Sequence, residues 1–290
     1  RRDAVLASQP TLSRFENAAT PGELLRMSYA LTDAVLDCEA RKRKRRKVRE
    51  ITIDMDPTED RTYGQQQWIF FNAYYDSWCY LPMITTIQFG DEPEHYAVAP
   101  LLRPGNAAGN AGALAILKRL VPRLRSRFPK AVIRVRMDGA FATPEVFDWL
   151  ETSRLGYVIN MAKNSVLKRL AQPWMDIVRS RAEASGVSET VYAETRYKAG
   201  KWKKRRRVIV KAEVVALPGR ALRDNPRFVV TNLRQAPKSV YRFYAKRGDM
   251  ENRIKEIKGG LRLDLTSCSR FGANQFRILW SYLKPQFTVW

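Results

Sequence analysis

The chain has 290 residues, and its 52 Lys plus Arg against 29 Asp plus Glu leave a formal charge of +23. Hydrophobic residues at 45 % are enough for one large core or two modest ones, and no apolar run reaches the length of a membrane span. One His and three dispersed Cys exclude a His-rich metal site, a zinc knuckle and a disulfide framework, and fit reduced thiols in a cytosol-like compartment.

A basic excess of this size implies a polyanion partner, most simply nucleic acid. Two runs hold much of it. Residues 41–49 contain eight cations in nine, and Lys201-Trp202-Lys203-Lys204-Arg205-Arg206-Arg207 has six in seven. Together they carry 14 positive charges, so the remaining chain is only +9 (23 less 14). Such runs are either solvated surface or phosphate contacts, and their dominance of the net charge favours phosphate.

In chain order, residues 1–50 read as a loop, a helix and the first basic run. Thr20-Pro21-Gly22-Glu23 supplies the helix N-cap, with proline just inside. Ile51 to Asp56 alternate as a strand, with Thr52, Asp54 and Asp56 on the polar side and Pro57 as the stop. Aromatic-rich segments at 67–76 and 79–89, with a third strand at 95–102, suggest antiparallel neighbours. A helix is expected over 107–128, a strand over 131–137 ending at Asp138, a helix opened by Thr143-Pro144-Glu145, and a strand over 156–162.

This order predicts a mixed α/β sheet over residues 51–162. Residues 163–236 break the rhythm, with a helix near 171–184 and strands near 189–197, 205–216 and 226–233, and read as a β-rich insertion. From 237 to 259 the pattern is helical again, within a last segment 237–290.

The last helix and the strand ends carry the chemistry. On a continuous helix Tyr244, Arg247, Glu251 and Lys258 fall in a stripe about 60° wide, beside an apolar stripe of Met250, Ile254, Ile257 and Leu261. The plain alternative is an amphipathic helix with pairs such as Glu251–Lys255. Asp54 and Asp56 end one strand and Asp138 another. Three carboxylates from separate elements suit two divalent cations in phosphodiester chemistry, because Mg²⁺ is hard and prefers oxygen. Each Asp alone is equally a turn or cap residue.

At these residues the chain resembles the DDE transposases of bacterial insertion sequences, which have an RNase H-like catalytic domain. Tyr244, Arg247, Glu251 and Lys258 match the Tyr-x2-Arg-x3-Glu-x6-Lys signature. Asp54-Met55-Asp56-Pro57-Thr58, Leu102-Arg103-Pro104-Gly105-Asn106, Val230-Thr231-Asn232-Leu233 and Ser267-Cys268-Ser269-Arg270-Phe271 match in order, from about Ser8 to the C-terminal region.

The resemblance implies an RNase H-like mixed sheet flanked by helices, with the insertion before the last catalytic helix. It implies metal-dependent cutting at transposon ends and strand transfer, with two Mg²⁺ ions (or Mn²⁺) on an Asp, an Asp and a Glu. Asp138 and Glu251 are the second and third of these. For the first, Asp54 and Asp56 both stand, Asp54 preferred for its place inside the strand and Asp56 for the Asp-x-Thr pattern. Tyr244, Arg247 and Lys258 would hold DNA phosphates, as would Lys201, Lys203, Lys204 and Arg205 of the second run. Trp202 would either stack on an unpaired base or pack the insertion onto the sheet.

Arg103 to Asn106 read as a turn with a helix cap first and a phosphate contact second. The partners implied are double-stranded DNA and a second copy on paired ends, in a bacterial cytoplasm at the nucleoid, with no membrane. Where the family has Asp-Ser-Gly-Phe, this chain has Asp138-Gly139-Ala140-Phe141, which is expected to change how Asp138 is aimed. That change, a start without Met and a stop at Trp290 inside an expected helix support a rival reading as a truncated, non-catalytic DNA-binding remnant. A nuclease of the same fold without strand transfer is the other.

Overall fold

The computed structural model describes residues 7–45, 47–249, 252, 254–256 and 266–287. The chain divides into two compact units, one of residues 1–49, 55–131 and 251–290, the other of 50–54 and 132–250. Strand β1 (Glu50–Pro57) belongs to both, changing unit after Asp54.

The first unit begins with α1 (Gln9–Ala18), in a stretch expected to be loop, and α2 (Pro21–Lys42). The start of α2 follows from its capping box: the Thr20 side chain accepts from the Glu23 N–H, and Glu23 accepts from the Thr20 N–H at 2.8 Å. The short strands β2 (Asp60–Arg61), β3 (Phe70–Asn72) and β4 (Ser77–Tyr80) form a three-stranded sheet in the order β2-β4-β3. The expected strand over 79–89 is therefore two, β4 and β5 (Met83–Phe89), parted at Leu81-Pro82. β5 pairs antiparallel with β6 (His95–Leu101).

Helix α3 (Ala113–Arg127) starts six residues later than expected. Arg103 explains the delay. Its buried guanidinium donates to the carbonyls of Leu81, Ala108, Gly109 and Ala111, so residues 108–111 offer these oxygens sideways rather than along a helix axis. Burial pulls its pKa down to about 10. The Arg103 turn is structural, and its guanidinium is not placed for a phosphate. Helix α7 (Phe271–Phe287) closes this unit, packing Phe276 and Leu279 on Leu24 of α2. Gln275 accepts from the Leu102 N–H at 2.6 Å.

In the second unit, β7 (Val132–Met137) runs parallel to β8 (Gly156–Met161), joined through α4 (Pro144–Thr152). Helix α5 (Ser165–Ser185) begins at Asn164, which accepts from the Leu167 N–H, earlier than expected. Its buried stripe of Leu167, Ala171, Met175, Val178 and Ala182 has helical spacing. β9 (Glu189–Tyr197), β10 (Arg206–Val215), β11 (Arg223–Asp224) and β12 (Arg227–Thr231) follow. β10 pairs antiparallel with β9, β11 and β12, and β12 pairs antiparallel with β8. The strands of segment 163–236 thus extend the sheet that holds β7 and β8, giving a mixed sheet.

The edge of β8 is finished by the Thr231–Asn232 pair. Asn232 accepts from the Tyr157 N–H and donates to the Leu155 carbonyl, and Thr231 donates to the Tyr157 carbonyl at 2.7 Å. Helix α6 (Pro237–Ala245) covers the sheet with Val240 and Tyr241 against Val158, Ile209 and Val229.

Candidate active site

Asp138 leaves the end of β7 in an extended conformation and caps the short 3-10 turn Gly139–Phe141. One carboxylate oxygen accepts from the Ala140 N–H at 2.9 Å. Among the described residues no cation pairs with it, so the second oxygen stays available on a half-buried carboxylate. Sequence reasoning expected the missing Ser and Gly of this turn to alter the aim. The aim instead rests on a backbone N–H, which any residue but proline supplies at 140. At Gly139 a Cβ would meet nothing closer than 3.7 Å.

On β1 the structure separates the two aspartates. Asp54 is 1 % exposed, and its two oxygens accept from Arg136 Nε at 2.8 Å and Nη2 at 2.7 Å. Arg136 is itself fully buried and also donates to the Phe243 carbonyl at the end of α6. A bidentate guanidinium takes one lone pair on each oxygen and offsets the carboxylate's charge. Asp54 thus ties β1 to β7 through Arg136, which stands two residues before Asp138. The strand is buried on both faces from Ile51 to Met55, so position inside it meant burial rather than reach.

Asp56 lies at the half-buried end of β1. Its charge, after burial, is the next cause that pushes the neighbouring Tyr75 hydroxyl up to about 12.

Glu251 and Lys258 lie outside the described residues. The helix expected over 237–259 is interrupted before them. α6 ends at Ala245, and the N–H groups of Arg247 and Asp249 bond three residues back, to Tyr244 and Lys246, in place of four. Tyr244 and Arg247 are therefore not on one continuous helix. Tyr244 is on α6, half-buried with its ring 6.0 Å from Tyr241, and Arg247 sits in the turn. Among the described residues no three His, Cys, Asp or Glu gather to hold a metal.

The basic runs differ in kind. In the first, Arg43 is held by Glu39 and Glu92, and its guanidinium lies 4.2 Å over the Phe89 ring. Arg41, Lys44, Arg45, Lys47 and Arg49 are exposed and carry no ion pair among the described residues.

In the second run, buried Arg206 donates to Asp148 and Glu151 at 3.0 and 2.9 Å. Lys203 and Lys204 bridge to the same two acids at 2.9 Å each. Arg207 holds Glu194. Lys201 and Arg205 remain exposed without an ion pair among the described residues. Trp202 is corrected as a DNA contact. It is 4 % exposed, with its ring 5.0 Å from Phe147 and 5.7 Å from Tyr197 and the Arg206 guanidinium against it. No base reaches a ring so enclosed, and packing is its role.

Sequence reasoning missed Arg136 and the Asp148–Glu151 pair. The signals were present: an arginine inside a β-branched run on the same side as Asp138, and two acids three apart on α4 facing one way.

Comparison with known families matches residues 1–287 to the transposase DDE domain, group 1. The chain belongs to that family. Among curated proteins nothing matches. The mixed sheet flanked by helices is consistent with the RNase H-like fold of DDE transposases. Membership makes the chain a transposase in general terms, a nucleic-acid-processing enzyme whose partner is DNA. No described helix is long and apolar enough to cross a membrane.

Proposed function

We propose that this DDE transposase domain cuts DNA at the ends of a bacterial insertion sequence and joins the freed 3′-hydroxyl to target DNA. Asp56, Asp138 and Glu251 would hold two Mg²⁺ ions, or Mn²⁺. The observation that carries the reading is Asp138, a carboxylate at a strand end with one oxygen uncommitted and no counter-cation among the described residues, in a chain with an excess of 23 positive charges. An enzyme this basic that leaves a carboxylate unpaired fits a site built for an added cation. The donor set is all oxygen, as Mg²⁺ requires. Bound there, the pair of ions supplies activation of the attacking oxygen and neutralisation of the leaving one.

The chain's own residues supply orientation. The Ala140 N–H fixes the rotation of the Asp138 carboxylate, and Arg136 with Asp54 locks β7 just before it. Arg247 and Lys258 would grip phosphates of the strand being cut, and a second copy would hold the paired end. Arg41, Lys44, Arg45, Lys47 and Arg49 would bind the duplex flank. DNA carrying the terminal sequences of its own element, incubated with the protein and Mg²⁺, tests this. Cut and joined products support the transposase; cutting without joining supports the nuclease; binding without cutting supports the remnant.

A further inference from the structure

We propose that the small sheet β2-β4-β3 and the loop leading into it form a stacking platform for unpaired nucleobases of the DNA substrate. The inference rests on the reading of this chain as a DNA-cutting enzyme. Between residues 63 and 78, Tyr63 and Tyr74 are 94 % and 87 % exposed, and Trp68, Phe71 and Trp78 are about half-exposed. No exposed large aliphatic side chain interrupts them, whereas exposed apolar residues elsewhere are mostly single Leu, Ile or Val. Exposed rings gathered in one short segment, Phe71 and Trp78 among them in contact, match a partner with π faces.

The patch is held rigidly. Phe71 and Trp78 stand opposite each other across β3 and β4 with ring centroids 6.1 Å apart. The sheet is pressed on the Arg103 turn so closely that a Cβ on Gly105 would lie 2.1 Å from the Cys79 carbonyl. Asn72 donates to the Gly105 carbonyl at 2.8 Å. Trp68 adopts φ 66°, a left-handed conformation rare for a bulky residue, and its ring lies 4.8 Å from Phe271. Gln67 secures it through Ser269 and the Phe271 N–H. Backbone strain kept at a solvent-facing tryptophan is the pattern of a ligand contact.

Charge argues for bases rather than duplex backbone. The segment from 57 to 80 has one cation, Arg61, which is paired with Glu59, so a phosphate track finds little to hold. Exposed Arg270, beside Phe271, has no ion pair among the described residues and suits a single phosphate at the edge. The platform also adjoins the proposed chemistry: β2 begins three residues after Pro57, and the β3–β4 turn holds Tyr75, the neighbour of Asp56.

The test uses the full chain without metal, so that no cutting is needed. Oligothymidylate and a duplex of equal length are titrated against wild type and against Phe71→Ala/Trp78→Ala, with Trp68→Ala and Trp78→Phe beside them. Folding is checked by circular dichroism. Wild type should show saturable tryptophan quenching by the single strand, and each ring removed should weaken that binding on the order of ten-fold. Trp78→Phe should keep most of it, and duplex affinity should hold.

Equal single-strand affinity in all variants, or equal loss for both DNAs, overturns the platform. So does a fall from dimer to monomer with DNA binding unchanged, which would make the patch a contact between copies. If the double variant fails to fold, Trp68→Ala and Tyr74→Ala give the same reading. Platform binding without Mg²⁺-dependent cutting sinks the enzymatic reading alone; cutting without platform binding sinks the platform alone.

Discussion

The two basic runs have nearly the same composition and opposite fates. The run at 41–49 continues from the end of a helix and leaves five exposed cations without an ion pair among the described residues, while the run at 201–207 folds back on Asp148 and Glu151 and buries Arg206 and Trp202. The difference lies in what faces them. Two acids three residues apart on α4 make one receptor for three cations of the second run, with Phe147 and Tyr197 closing over the tryptophan. Among the described residues the first run pairs with Glu39, which Arg43 and Lys42 share, and with Glu92, held by Arg43. Charge density alone therefore does not mark a DNA contact; the supply of local counter-charge decides which cations stay available.

That contrast breaks first at Arg206. Arg206→Met leaves two acids without their buried partner and should cost about 3–5 kcal/mol in urea unfolding. Trp202→Ala should cost a similar amount by emptying the space between Phe147 and Tyr197. If either variant keeps wild-type stability while DNA affinity falls, the second run is a DNA contact after all.

Replacing Lys44, Arg45, Lys47 and Arg49 by Gln should do the reverse. The slope of log affinity against log salt should flatten by roughly 0.9 for each phosphate contact removed, with the unfolding midpoint held. Lys201→Gln/Arg205→Gln should flatten it less.

Acid gives a smaller effect of known sign. Lys203 first, then Arg206, holds the Asp148 carboxyl below its ordinary value. For Glu151 burial pushes upward, but bonds from Arg206, Lys204 and Tyr157 outweigh it and the net direction is down. A depressed folded pKa means stability present above the ordinary carboxylate range and lost as pH falls through the folded value. Wild type should therefore lose stability below about pH 4, and Arg206→Met should lose less over that span.

The smallest effect belongs to Gly139→Ser. Ordinary van der Waals clearance at Gly139 and a backbone-held Asp138 predict a stability change within about 0.5 kcal/mol and unchanged DNA cutting.

Much of the fold was legible from local signals that tertiary contacts do not override. The Thr20–Glu23 capping box, the strand before Asp138, and the β9, β10 and β12 hairpins are of this kind. What escaped depends on distant partners. The late start of α3 is set by Arg103, whose carbonyl ligands span 81 to 111. Asp54 and Asp56 look equivalent in an alternating strand, and only the arginine 82 positions on distinguishes them. The break after α6 comes from a change of hydrogen-bond register at Arg247 and Asp249, to which side-chain periodicity is blind. The enclosure of Trp202 needed α4 in place.

The proposed mechanism has Asp138 and Glu251 hold the ions that make the cut. It is tested most directly by Mg²⁺-dependent cleavage of end-containing DNA with wild type, Asp138→Asn and Glu251→Gln at matched DNA binding. The account predicts cleavage by wild type and none above background by either variant, each of which still folds and binds. Wild type cutting no better than Asp138→Asn or Glu251→Gln would contradict it.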